Sequence, residues 1–156
     1  MSGIIGQVGA RSGIVGSTTD STQLDYEEGT FTPTFLTGGS ASSTLDSAYG
    51  FYIKIGNFVS VFIRINITSG GGSGNITVSG LPFTSISSTG FVTTGVIVTS
   101  NIDASGEMPY IAEMSNSSTT CAMRTVRSAQ SGSYNSMTIS NIGNSSELSF
   151  SLTYLT

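Results

Sequence analysis

The stretch Tyr49-Gly-Phe-Tyr-Ile-Lys-Ile-Gly-Asn-Phe-Val-Ser-Val-Phe-Ile-Arg-Ile-Asn-Ile67 decides the fold. Tyr49, Phe51, Ile53 and Ile55 alternate with Gly50, Tyr52 and Lys54. That period of two belongs to a strand, not a helix. Gly56-Asn57 then interrupts the pattern as a two-residue hairpin signal. Beyond it, Val59, Val61, Ile63, Ile65 and Ile67 share one face, and Phe58, Ser60, Phe62, Arg64, Asn66 and Thr68 share the other. A long aliphatic row of this kind must be covered by another layer.

Working outward, residues 31–36 hold Pro33 and read as an edge strand or a strand start, because proline cannot donate to a ladder. Residues 75–79 read as a short strand stopped by Gly80-Leu-Pro82, and 91–99, 108–114 and 119–126 as further strands. A short segment follows at 136–140, and Leu148, Phe150, Leu152 and Tyr154 alternate with polar residues in a last strand. Loops fall at 69–74, 102–106, 115–118 and 128–136, and no segment has helical periodicity. The expectation is an all-β fold, an antiparallel β-sandwich of jelly-roll-like form with about nine strands over residues 31–156. The single cysteine, Cys121, falls within a strand and reads as a buried structural thiol.

Residues 1–30 differ. Ser2-Gly-Ile-Ile-Gly6 recurs as Ser12-Gly-Ile-Val-Gly16, and glycine at every third or fourth position opposes a helix. The segment nevertheless carries Ile4, Ile5, Val8, Ile14 and Val15, which are costly to leave in water. It reads as an extended N-terminal anchoring arm that docks on another protein through residues 1–20, against the plainer reading of a tail or an edge strand. Residues 17–30 read as a polar linker ending in the acidic cluster Asp25, Glu27 and Glu28. The opening residues lack a basic n-region, so no secretory leader is expected, and no run of 18 apolar residues suggests a transmembrane helix.

Composition narrows the chemistry. The 156 residues include 5 basic and 9 acidic residues, no histidine, 29 Ser, 21 Thr and 20 Gly. Without histidine there is no imidazole base and no usual zinc site. One lysine and four arginines are too few for a phosphate-binding surface, so nucleic acid is not an expected partner. Asp25, Glu27 and Glu28 do not sit in a calcium-loop pattern, and nothing marks Asp103 and Glu107 as a glycosidase pair. Residues 70–74 lack the lysine of a phosphate loop. No catalytic residue, metal or cofactor is expected. Tyr134, in a polar loop, is the candidate for an exposed glycan contact. Outward faces rich in Ser, Thr and Asn lack the charges that usually guard sheet edges. This suggests surfaces covered by sister subunits, with a homotrimer as the preferred assembly.

Three stretches carry a family resemblance. Leu24-Asp-Tyr-Glu-Glu-Gly-Thr-Phe-Thr-Pro-Thr34 resembles an Asp-Tyr-Glu-Glu-Gly-Thr-(Trp/Phe)-Thr-Pro-Thr stretch of bacteriophage virion proteins. Tyr52-Ile-Lys-Ile-Gly-Asn-Phe-Val59 is similar to that group's Tyr-x-Lys-Ile-Gly-Asn-x-Val hairpin, and Gly80-Leu-Pro-Phe83 to the Gly-Leu-Pro-Phe that follows it. Residues 84–156 match only in general character, and the glycine-rich opening is similar to openings in structural proteins of marine phages. The resemblance is to tail-fibre and head-decoration β-modules, which are usually β-sandwiches and often trimeric. It implies a non-enzymatic protein on the outer surface of a phage particle. The expected form is a capsid decoration protein or short fibre held to other virion proteins by its arm. A tail-fibre module recognising host surface glycan is the alternative.

Overall fold

The computed structural model describes residues 25–88, 90, 92–102, 110–126 and 134–156. These form ten strands and one 3-10 turn at Ile139–Asn141. The strands are β1 (Tyr26–Phe31), β2 (Thr34–Thr37), β3 (Thr44–Ile55), β4 (Phe58–Ser69), β5 (Ile76–Ser79), β6 (Thr93–Ile102), β7 (Tyr110–Met114), β8 (Cys121–Val126), β9 (Tyr134–Ser136) and β10 (Ile142–Leu155). All pair antiparallel in one sheet of order β1-β3-β4-β10-β6-β7-β8-β5-β2, with β9 added on β8.

The order of the sheet dictates its shape. β1 and β2 sit at opposite ends of that path, yet only Thr32 and Pro33 separate them in the chain. In a flat sheet the two edges would lie about 38 Å apart, at about 4.8 Å per strand. Three residue steps reach about 11 Å at most. The sheet therefore curls until its two edges approach each other at Thr32-Pro33. The buried side chains form one cluster inside the curl, drawn from β4, β10 and β6 on one side and from β7, β8, β5 and β2 on the other. The two facing layers of the expected sandwich are thus two halves of one continuous antiparallel sheet.

The β3–β4 hairpin forms as its sequence implies. Gly56 turns with φ +57°, and Ile55 pairs with Phe58. Val59, Val61, Ile63, Ile65 and Ile67 are buried. β3 faces the other way from its hydrophobic pattern. Gly50 pairs with Ile63 and Tyr52 with Val61, so these join the inner row, whereas Phe51 pairs with Phe62 on the outer face. A hairpin turn sets parity, and parity sets the face.

Several boundaries differ from expectation. Residues 26–30, assigned to the linker, are β1 of the sheet, so the folded unit begins before residue 31. The stretch 31–36 is not one strand, because it splits at the buried Pro33 into the two sheet edges. Residues 134–136, read as loop, form β9. β10 begins at Ile142 rather than near Leu148, and its first turn of chain is bulged between Ile142 and Glu147. Residues 80–88 run irregularly across one end of the core. Leu81 is buried there, its amide donates to the Thr119 carbonyl, and the Ile86 amide donates to the Leu155 carbonyl. Cys121 is fully buried on β8, and burial pushes its thiol pKa up to about 12, so it remains a protonated core side chain.

Candidate functional site

The arm residues Ile4, Ile5, Val8, Ile14 and Val15 lie outside the described residues, as do Asp103 and Glu107. Tyr134 stands on β9, 54% exposed. The Arg124 guanidinium lies over its ring at 5.1 Å from the centroid, a cation–π contact that fixes the ring on the sheet. Arg124 also donates to Glu113 Oε1 at 2.9 Å and to the Ser136 hydroxyl. Tyr134 is therefore a braced ring on a strand and not the tip of a free loop.

The three stretches that resemble virion proteins come together at the β1 edge. The inner-row residues of β1, namely Glu27, Gly29 and Phe31, pair with Lys54, Tyr52 and Gly50 of β3. Tyr52 donates its hydroxyl to Glu27 Oε1 at 2.6 Å, which raises the phenol above its ordinary pKa. Lys54 reaches Asp25 at 2.7 Å. Phe83 meets the Tyr52 ring edge-on at 5.3 Å between centroids and lies 5.8 Å below the Lys54 ammonium. The glycines are there for space. A Cβ at Gly29 would sit 2.8 Å from Tyr52 Cε1, and one at Gly50 would sit 2.5 Å from the Phe31 ring. These residues make a clasp that holds the edge strand to the hairpin and to the segment after Leu81.

The same geometry accounts for the acidic cluster. Asp25 and Glu27 are held by Lys54 and Tyr52, and Glu28 accepts from Tyr26. Charges along an exposed edge strand also discourage pairing with other chains. Elsewhere Glu147 accepts from Arg64 at 3.0 and 2.9 Å, and those bonds hold its carboxyl below the ordinary range. No group of three or more metal-ligating side chains occurs among the described residues.

Sequence reasoning missed a broad apolar surface. The outer face of β3, β4, β10 and β6 is not simply hydroxyl-rich. Tyr49, Phe51, Phe58 and Phe62 stand open on β3 and β4, and Val96 and Val98 are 68% and 69% exposed on β6. Phe51 and Phe62 touch across the hairpin at 6.3 Å between centroids. Between the rings and the valines β10 presents Ser149 and Ser151, which floor a groove of about 890 Å³. The signal was present in the hairpin register, since Ile55 opposite Phe58 places Phe51 beside Phe62 on the face away from Val61 and Ile63.

The curled antiparallel sheet has a counterpart of similar fold in a phage virion protein. The solved structure of the Dettilon tailspike protein (gp208) matches this chain with a TM-score of 0.65 and 17% sequence identity. The match covers 83% of this chain and 23% of that tailspike chain, and the likeness is one of fold. No family model and no curated protein matches the sequence.

Proposed function

We propose that this chain is a non-enzymatic structural protein of a bacteriophage virion, carried on the outer surface of the particle. In this reading it is a homotrimeric capsid decoration protein or short fibre that attaches to a capsid or tail component through residues 1–20. One observation supports it most. The three stretches that resemble virion proteins pack as a single structural clasp on a fold shared with a tailspike. A non-enzymatic role is supported by the absence of histidine and by the carboxylates Asp25, Glu27, Glu28, Glu113 and Glu147, all engaged by side chains of this chain.

The anchoring residues are Ile4, Ile5, Val8, Ile14 and Val15. Replacing Ile4 and Ile5 by Asp removes the chain from purified particles while the sheet stays folded, as read by peptide mass spectrometry of the particles and by circular dichroism. Normal incorporation of that variant overturns the arm as anchor.

A second reading is recognition of host glycan, and a polar recess favours it. Asp46, Asn66, Thr68, Ser100, Ser145 and Glu147 line a hollow of about 360 Å³ where β3 and β10 are both bulged. Tyr134 offers an exposed ring on the other half of the sheet. Binding of the full chain on a glycan array supports this reading, and silence of the array returns the choice to decoration.

A further inference from the structure

The exposed apolar field on the long-stranded half has two chemically different flanks. Tyr49, Phe51 and Phe62 form an aromatic ridge on β3 and β4, and Val96 and Val98 form an aliphatic one on β6. We propose that this field is where copies of the chain pack on one another, the aromatic ridge of one copy against the valine ridge of the next. The proposal rests on the self-association put forward above and adds the surface and its polarity.

Area, charge and shape select a second copy as the occupant. Tyr49, Phe58, Phe62 and Phe51 are 65%, 62%, 50% and 38% exposed. At about 200 Å² per aromatic side chain, they leave on the order of 400 Å² open. That alone equals the largest patch an ordinary monomer exposes, about 300–600 Å². Ile55, Val92, Val96 and Val98 extend it toward the roughly 800 Å² that each partner contributes to a stable pair.

Among the described residues, Arg64 is the one charged side chain lining the groove, and its guanidinium is already committed to Glu147. A neutral face gives a charged partner nothing to recognise, whereas a copy bearing the same face meets no like charge. β4 and β6 flank β10, so their ridges stand about 10 Å apart, room for one row of side chains over Ser149 and Ser151. An aromatic ridge that meets the valine ridge of the next copy makes a heterologous contact, and such contacts build a ring where the rotation between copies closes.

The test uses the full chain and two variants, Phe62→Asp on the aromatic flank and Val98→Asp on the valine flank. The wild type is expected at the mass of three copies by sedimentation velocity at micromolar concentration. Each variant is expected to sediment as a monomer, its association weakened about a hundredfold or more by an unpaired charge in a desolvated contact. Cys121 reports folding directly, because a folded core keeps its thiol unreactive to a disulfide-exchange reagent. Variants that keep the wild-type mass with an unreactive Cys121 overturn the surface while the trimer reading stands. A monomeric wild type overturns both, and a wild-type dimer overturns the ridge-to-ridge arrangement. The Ile4→Asp/Ile5→Asp chain is expected to keep the trimer mass. Dissociation in that chain alone, with Phe62→Asp and Val98→Asp still trimeric, assigns assembly to the arm and overturns the proposal.

Discussion

The two halves of the sheet share one ladder of hydrogen bonds and one core, yet their outer surfaces are built differently. The half made of β3, β4, β10 and β6 has strands of 12, 12, 14 and 10 residues. The half made of β7, β8, β5 and β2 has strands of 5, 6, 4 and 4 residues. Among the described residues, every large apolar residue that stands exposed, apart from Tyr134, lies on or beside the long-stranded half or its neighbour β1. On the short-stranded half the Glu113–Arg124 ion pair, capped by the Tyr134 ring, occupies the corresponding outer position. One half is finished for water by a polar network, while the other carries apolar rows on both of its faces. A sheet needs only one apolar face to fold, so the outer apolar row is surplus to what the core requires.

Truncating one core residue in each half shows whether the two halves fold separately. Ile65 on β4 and Met123 on β8 are both fully buried in the common cluster. Ile65→Ala and Met123→Ala are each expected to cost about 2–5 kcal/mol, the usual range for truncating a buried aliphatic or methionine side chain. Each is expected to leave a single urea transition in which tyrosine fluorescence and far-ultraviolet circular dichroism coincide. An early separate transition in Met123→Ala would divide the core into two.

Much of the long-stranded half was legible in the sequence, because its signals are local. The alternation in β4 and the Gly56-Asn57 turn fix the hairpin, and the row from Val59 to Ile67 is buried as its pattern implies. What misled was polarity of face. Hydrophobic alternation identifies inside from outside only when one face is polar, and β3 reverses that rule. Its bulky set points outward, because Phe31, distant in sequence, fills the space above Gly50. β1 escaped notice because an edge strand with exposed Glu27 and Glu28 has no apolar period to detect. The seam at Pro33 was visible as a break, but which edges it joins depends on pairings of β1 with β3 and of β2 with β5, far apart in the chain. The clasp stands in the sequence as three separate motifs, whereas their convergence on Tyr52 is a tertiary fact.

A smaller effect sharpens the contrast between the two outer faces through their ion pairs. Side-chain exposure is 23% and 10% for Arg124 and Glu113, against 58% and 33% for Arg64 and Glu147. Arg124→Met leaves the Glu113 carboxylate without its cation in a nearly dry position and withdraws the brace from the Tyr134 ring. Its expected cost is about 2 kcal/mol, below the range for fully buried pairs because the guanidinium keeps some water. Arg64→Met, on an open surface, is expected to leave the urea midpoint of the monomer nearly unchanged. Equal losses from the two substitutions would mean that the outer faces are energetically alike.

The smallest expected effect is the pH dependence of the Arg64–Glu147 pair. Hydrogen bonds from Arg64 hold the Glu147 carboxyl below its ordinary pKa, so the folded state binds a proton there less readily than the unfolded chain does. The pair's contribution is therefore present above the ordinary glutamate value of about 4.3 and is lost as pH falls through the lowered folded value. Wild type and Arg64→Met are expected to differ slightly in Tm at pH 6 and to converge as the pH drops toward 3. At pH 6 the same convergence is expected in 1 M salt, where the screening length is about 3 Å. A difference that survives both acid and salt would mean that Arg64 acts through packing of its stem against Tyr49 and the groove, not through its charge. In that case Arg64 belongs to the exposed apolar field of the long-stranded half.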